Sequence, residues 1–201
     1  QRQSLGEFAC AAGLGRRAFA ADTTLPTVLQ RAAVPTPLAP GAALLAAARA
    51  GSRVVVAGER GIVLFSDDGG RKWTQAQVPV QVSLTALRFA DARNGLAAGH
   101  LGTLLRTADG GASWTLQFDG ARAAQATLAA ASDDVQRKHA RRLVADGPDK
   151  PLFDIDIAGS AAWAVGAYGL AFESRDGGPW QSVAQRLPNP RHLHLYGVRS
   201  V

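Results

Sequence analysis

Three short stretches place a hydroxyl, a carboxylate and an indole at matching spacing: "SDDGGRKW" at Ser66–Trp73, "TADGGASW" at Thr107–Trp114 and, one residue shorter, "SRDGGPW" at Ser174–Trp180. A carboxylate of this kind could be a general acid or base. Alternatively, a Ser or Thr two residues before an Asp can accept hydrogen bonds, together with that Asp, from the N–H groups of a tight turn. Repetition argues for the turn, since catalysis needs its carboxylate in one place and these lie in three. Ser66 and Asp68, Thr107 and Asp109, and Ser174 and Asp176 are therefore expected to staple hairpins. Gly70, Gly111 and Gly178 would supply positive φ. Trp73, Trp114 and Trp180 would bury a ring at matching positions and leave the indole N–H an acceptor.

The remaining chemistry-bearing residues form no constellation. Of the four histidines, His100, His139, His192 and His194, only His192 and His194 share a strand face, and the pair is read as an ordinary surface pair rather than a metal site. Cys10 is single, which leaves neither an internal disulfide nor a zinc module. No cofactor is expected.

The elements that must carry these turns are visible in the repeats. "RVVVAGERGIVLFSDDGGRKW", "GLAAGHLGTLLRTADGGASW" and "AWAVGAYGLAFESRDGGPW" share one grammar: an apolar run ending in Gly, two variable residues, a second Gly, another apolar run, then the Asp motif. Gly58 and Gly61 recur as Gly99 and Gly102 and as Gly166 and Gly169. The first step is 41 residues and the second 67. A period near 41 built from short runs split by Gly turns fits a four-stranded antiparallel blade. The fold expected is all-β, a partial propeller with blades near 42–80, 83–118 and 152–184 and the start of another at 192–201. In the second blade, strands are expected near 84–90, 94–99, 102–107 and 113–118. In "FDIDI", Phe153, Ile155 and Ile157 alternate with Asp154 and Asp156, which predicts one buried face.

On these motifs the chain resembles Asp-box (BNR) repeat proteins, and "AGERGIVLFSDDGGRKWT" is similar to the propeller of the photosystem II assembly and stability factor family. The resemblance spans roughly 42–118 and 152–184. It implies a non-enzymatic scaffold that binds protein and assists assembly or stability of a membrane protein complex, photosynthetic in that family. Exported bacterial relatives imply a periplasmic or lumenal location. The chain departs from the family in its shortened third motif and in having too few blades to close a ring. Sialidases and other glycoside hydrolases also carry Asp-boxes, but they would need converging arginines and a Tyr with a partnering Glu. Only Tyr168 and Tyr196 exist, and no Glu is placed beside either. A hydrolase fragment stands as the alternative.

The longer second step adds residues 119–150, and "ARAAQATLAAASDDVQRKHARRLVA" within it is Ala-rich and free of proline. It predicts a helical hairpin or a broken helix, with Ser132 and Asp133 capping a second helical segment that ends at Asp146–Pro148. Arg137, Lys138, Arg141 and Arg142 would lie on its adjacent faces. They form either a solvated face or a docking surface for an acidic protein partner. Nucleic acid is disfavoured because no aromatics are interleaved for stacking. In an antiparallel meander this insertion leaves on the same side as the Gly-x-x-Gly turns, so Glu59, Arg60, His100 and Tyr168 join it as candidate partner-binding residues.

Charge and hydropathy bound the rest. A net charge of +6 suits an acidic partner without naming one, and no run approaches the roughly 20 apolar residues a membrane span needs. Residues 1–40 read as a leader and an extended, proline-rich lead-in. "LGEFACAAGLGRRAFA" ends in a small-residue site at Ala18–Ala20 that fits a cleaved export signal, whereas Glu7, Arg16 and Arg17 fit an ordinary leader.

Overall fold

A computed structural model describes residues 27–200; the export-signal expectation falls on residues 1–20, outside them. Among the described residues, twelve strands form three four-stranded antiparallel meanders. The first runs β1 (Leu44–Ala50), β2 (Arg53–Gly58), β3 (Val63–Ser66) and β4 (Thr74–Gln75). The second is β5 (Leu84–Phe89), β6 (Gly95–Gly99), β7 (Leu104–Thr107) and β8 (Thr115–Phe118). The third is β9 (Leu152–Ala158), β10 (Ala161–Gly166), β11 (Ala171–Arg175) and β12 (Gln181–Ser182). β1 packs along β5 and β5 along β9. The first strands of successive sheets are thus neighbours, the radial order of propeller blades.

The second sheet buries both faces, one against the first sheet and one against the third. Val55, Val63, Leu84, Leu105 and Trp114 fill the space between the first two sheets. Leu104, Phe118, Leu152, Ile155 and Phe172 fill the space between the second and third. Full burial of side chains this large contributes about 1.5–3 kcal/mol each, so the interfaces between blades carry the core. The lead-in packs too: Ala33 N–H donates to the Val78 carbonyl, and Gln75 bridges to the backbone of Val34 and Thr36. Ala39 closes the outer face of the first sheet over Val56, Ile62 and Leu64.

The Gly-x-x-Gly turns repeat with φ values that agree to within about 12°. Gly58, Gly99 and Gly166 lie against the chain entering the first strand, where an added Cβ would come within 2.0–2.3 Å of the carbonyls of Ala43, Ser83 and Pro151. The next residue donates its N–H to that same carbonyl, at 2.9–3.0 Å in all three copies. The following residues, Arg60, Leu101 and Tyr168, adopt left-handed φ of 52–54°. Non-glycine residues reach that region at a cost of order 1 kcal/mol, which the flanking hydrogen bonds offset.

Between the second and third sheets, α1 (Gly120–Ala130) and α2 (Asp134–Asp146) form the helical insertion. Asp119 caps α1 by accepting from Arg122 N–H, and Asp133 caps α2 by accepting from Gln136 N–H. Gln136 Oε1 in turn accepts from the Ser132 N–H and hydroxyl. Gly147, at φ 87°, and Pro148 end the pair. The insertion leaves and returns at one point, because a Cβ at Gly120 would meet the Pro148 carbonyl at 2.3 Å. Ala123, Ala124 and Leu143 seat the helices on the core of the second and third sheets.

Two expectations are corrected. The alternation in β9 is not one buried face: Ile155 is fully buried, but so is most of Asp154, at 8% exposure, while Phe153 is half-buried. The reason is that β9 is flanked on both sides, by β5 and by residues 195–200. Asp154 binds Arg88 at 3.1 Å on one side and accepts from Val198 N–H at 3.2 Å on the other. Likewise the start of another blade expected at 192–201 forms no strand among the described residues. The segment is extended and lies beside β9 as β9 lies beside β5, but among the described residues it has no second strand to complete a ladder.

Candidate binding surface at the Gly-x-x-Gly turns

The Asp motifs lie between the third and fourth strands of each sheet. In the first, Ser66 donates to Asp68 Oδ1 at 2.9 Å and accepts from Gly70 N–H at 2.8 Å. The same Oδ1 accepts from the N–H groups of Arg71 and Lys72 at 2.9 and 2.8 Å. In the second, Thr107 donates to Asp109 at 2.8 Å and accepts from Gly111 N–H at 3.0 Å. Asp109 accepts from the N–H and hydroxyl of Ser113, and the Trp114 indole donates to the Gly111 carbonyl at 3.0 Å. Hydrogen bonds from Lys72 N–H and the Ser66 hydroxyl hold the Asp68 carboxyl below its ordinary value. Desolvation pushes Asp109 up, but its bonds from Ser113, Thr107 and Ala112 N–H outweigh that and bring it down.

The third copy does not build this turn. Ser174 donates to the Gly178 carbonyl at 2.7 Å instead of accepting from its N–H, and positive φ falls on Asp176 (52°) and Gly177 rather than on Gly178. No described donor reaches the Asp176 carboxylate. Pro179 stands where Arg71 supplies an N–H in the first copy, and proline has none; with the motif one residue short, the second donor is lost as well. The tryptophans nonetheless share a placement, each on the face of its sheet turned toward the preceding blade position. Trp114 packs against the first sheet's core and Trp180 against the second's, while Trp73 packs on the outer face beneath the lead-in.

At the opposite ends of the sheets, the expected partner-binding residues are not equivalent to one another. Tyr168 matches Arg60 and Leu101 as the second variable residue of its turn, whereas His100 matches Glu59 as the first. Glu59 is used internally, its Oε1 accepting from Ala43 N–H at 3.1 Å. Arg60 and His100 are exposed, and no hydrogen bond or ion pair joins them to the insertion among the described residues. Tyr168 alone is brought to it: His139 Nε2 of α2 lies 3.1 Å from the Tyr168 carbonyl, and Lys150 sits over the Tyr168 ring.

On α2, Ala140 and Leu143 face the core. Arg137, Lys138, Arg141 and Arg142 spread around the other side, matching the helical period of 3.6. Arg137 pairs with Asp134 at 3.2 Å and Arg142 with Asp146 at 3.9 Å; Lys138 and Arg141 have no carboxylate partner among the described residues.

His192 and His194 are more than a surface pair. The His192 ring stacks on His139 at 3.6 Å with planes 2° apart, and His194 Nδ1 accepts from Tyr168 N–H at 3.1 Å. Phe153 and Tyr196 stack alongside at 5.1 Å. Sequence reasoning missed this cluster; its one signal was the alternation His192, His194, Tyr196 on one side of an extended segment. Burial first, then the charge of His192, with Arg142 adding, holds the His139 imidazole below its ordinary value, against the Tyr168 carbonyl contact that raises it. Among the described residues, no group of three or more His, Cys, Asp or Glu is placed to hold a metal ion. Nor is any helix among them long and apolar enough to cross a membrane.

Between the α1–α2 turn, the Tyr168 turn and residues 182–192 lies a pocket of about 310 Å³. Its walls are mostly apolar, including Ala130, Leu170, Leu187 and Pro188, with Gln136, His139, Ser182 and Asn189 as polar points.

No family model matches the chain, and no curated protein sequence does. Among solved structures, a protein described as YCF48 bound to D1 peptide superposes with a TM-score of 0.50 at 17% identity, covering 76% of this chain and 43% of its own. YCF48 from Cyanidioschyzon merolae superposes with a TM-score of 0.48 at 19% identity, over 75% of this chain and 39% of its own. An ancestral GH74 enzyme gives 0.48 at 15% identity, over 72% and 20%. The chain thus spans less than half the length of each of these proteins. At 17% identity the first of these likenesses speaks of fold alone, and with the three radial meanders it establishes this chain as part of a β-propeller interrupted by a helical insertion.

Proposed function

We propose that this chain is part of a non-enzymatic, exported scaffold of the photosystem II assembly and stability factor type, and that its Asp motifs are Asp-box repeats serving as turn staples. The face bearing the Gly-x-x-Gly turns and the insertion holds a segment of a protein partner, a subunit of a membrane complex. The observation that carries this reading is the docking of the insertion onto the Tyr168 turn, which creates a concave, mostly apolar site beside a basic helix. Loops on a rigid scaffold are where recognition usually resides, and concave apolar sites with a few polar points are the usual form of a binding site. The propeller described as bound to D1 peptide supports a peptide as the kind of ligand such a fold holds.

The test is a photo-crosslinking residue placed at Gln185, which lines the pocket, and separately at Ser113, in the second Asp motif at the other end of the sheets, each in the full protein in its native cells. Gln185 should capture a membrane-complex subunit and Ser113 should not. Capture through Ser113 alone, or turnover of a glycoside by the purified protein, overturns the reading.

A further inference from the structure

Three of the four histidines meet at one side of the pocket, although they come from two distant segments. His139 belongs to α2, whereas His192 and His194 belong to the extended tail. The His139 and His192 rings are stacked at 3.6 Å with planes 2° apart. Hydrogen bonding places the protons on the other contacts. A carbonyl only accepts, so His139 Nε2, 3.1 Å from the Tyr168 carbonyl, carries a hydrogen. An N–H only donates, so His194 Nδ1, 3.1 Å from Tyr168 N, carries none. The Tyr168 peptide is thus gripped from both ends, by α2 and by the tail. Leu187, Pro188, Asn189, Pro190 and His192 form one wall of the pocket, so whatever holds the tail holds that wall.

These contacts need neutral imidazoles. A proton on His194 Nδ1 would set two donors against each other at the Tyr168 N–H, and protons on both His139 and His192 would stack two cations face to face. The surroundings add positive charge rather than relieve it. Arg142 of α2 acts on His139, Lys150 sits over the Tyr168 ring, and Arg191 precedes His192. The carboxylates nearby are taken: Asp146 pairs with Arg142 and Lys150, and Asp149 with Lys150. Asp133, which also lines the pocket, caps α2. On β9 and the rest of the tail, Phe153 and Tyr196 offer His194 only aromatic rings. Burial and the charge of His192 already hold the His139 imidazole below its ordinary value. The backbone contributes as well: His192 is held at a left-handed φ of 51°, which a residue with a side chain adopts only under constraint.

We propose that His139, His192 and His194 form an acid-sensitive latch: neutral, they hold residues 187–194 against α2 and the Tyr168 turn as one wall of the pocket, and protonated, they let that wall go. Resting on the protein-binding reading above, the consequence is a site that keeps its partner segment near neutral pH and releases it in acid. Release ends before Val198, because the N–H groups of Val198 and Ser200 are bonded to Asp154 and Asp156 and no histidine takes part there.

Residue-resolved hydrogen exchange on the full chain, corrected for the intrinsic rate at each pH, reads the latch at about pH 7.5 and about pH 5.5, on either side of the ordinary imidazole value near 6.5. The amides of Tyr168 and Leu195 donate to His194 and to the Gly166 carbonyl. In acid they should lose protection by about three- to tenfold, the scale of one net hydrogen bond, while Val198 keeps its own. His139→Gln combined with His194→Asn preserves a donor and an acceptor at those positions and cannot titrate there, so this variant should stay protected at both pH values. The proposal is overturned if Tyr168 and Leu195 are equally protected at both pH values in wild type, if Val198 loses protection in step with them, or if the double variant still opens in acid. Photo-crosslinking from Gln185 in permeabilised native cells reads the consequence. Capture in acid, relative to capture at neutral pH, should fall at least about threefold in wild type and hold in the double variant. Opening seen by exchange with capture unchanged by pH defeats the gating of the partner alone; no capture at either pH defeats the protein-binding reading, and the latch then stands or falls on the exchange result.

Discussion

Removing the Asp109 carboxylate tests the account of the turns directly, because the same chain carries a comparison at Asp176. Asp109→Ala deletes acceptors for the Thr107 hydroxyl at 2.8 Å, Ser113 N–H at 2.9 Å and the Ser113 hydroxyl at 2.6 Å. A net hydrogen bond contributes about 0.5–1.5 kcal/mol. These three share one exposed carboxylate and water replaces part of what is lost, so the expected cost is about 1–2 kcal/mol rather than the sum. For a chain of this size, each kcal/mol lowers Tm by about 2–4 °C. Asp176→Ala removes no described bond and should stay within about 0.5 kcal/mol. Asp176→Gly should be neutral or stabilising, since glycine adopts the φ of 52° without strain. Urea unfolding followed by tryptophan fluorescence measures all three. The carboxyl of Asp109 is held below its ordinary value, so its contribution is present above about pH 4 and is lost as pH falls through the lowered folded value. The gap between wild type and Asp109→Asn should therefore close in acid. Equal costs at Asp109 and Asp176, or a gap unchanged at low pH, would refute the reasoning.

Three further outcomes are expected. Replacing Arg137, Lys138, Arg141 and Arg142 together by Gln should leave α2 helical, since the exposed pairs with Asp134 and Asp146 contribute little; partner capture should weaken and lose its salt dependence, and capture equally strong at low and high salt would mark the cluster as a solvated face. Gly102→Ala should destabilise by more than about 1 kcal/mol, because φ there is 63° and a Cβ would meet Gly120 Cα at 2.5 Å; thermal melts read it. Because the folded pKa of His139 lies below the unfolded one, the unfolded chain binds the proton first, so stability should be full above about pH 6.5 and fall as pH drops toward the lowered folded value. His139→Gln should flatten that part of a series of urea midpoints taken across pH.

The blade architecture and the helical insertion were legible in the sequence because both rest on local rules: runs split by paired glycines, a motif recurring at 41 residues, and an Ala-rich stretch with Asp133 at its start and Gly147 at its end. Local rules also showed where each turn falls, but not which turns close their hydrogen bonds. At the third motif a missing residue and the missing N–H of Pro179 outweigh an intact Ser174, Asp176 and Gly178, and only the folded backbone reveals it. Alternation in β9 misled for a different reason: period 2 separates two faces, but it does not say that both will be covered, and Asp154 is buried because neighbours from distant parts of the chain supply Arg88 and Val198 N–H. The candidate pocket is the furthest from sequence. His139, Tyr168, Ser182 and His192 come from a helix, a turn, a short outer strand and an extended tail, and nothing in their spacing brings them together. Only the packing of the insertion against the third blade does so, because contacts between distant segments are set by how whole elements bury their apolar faces.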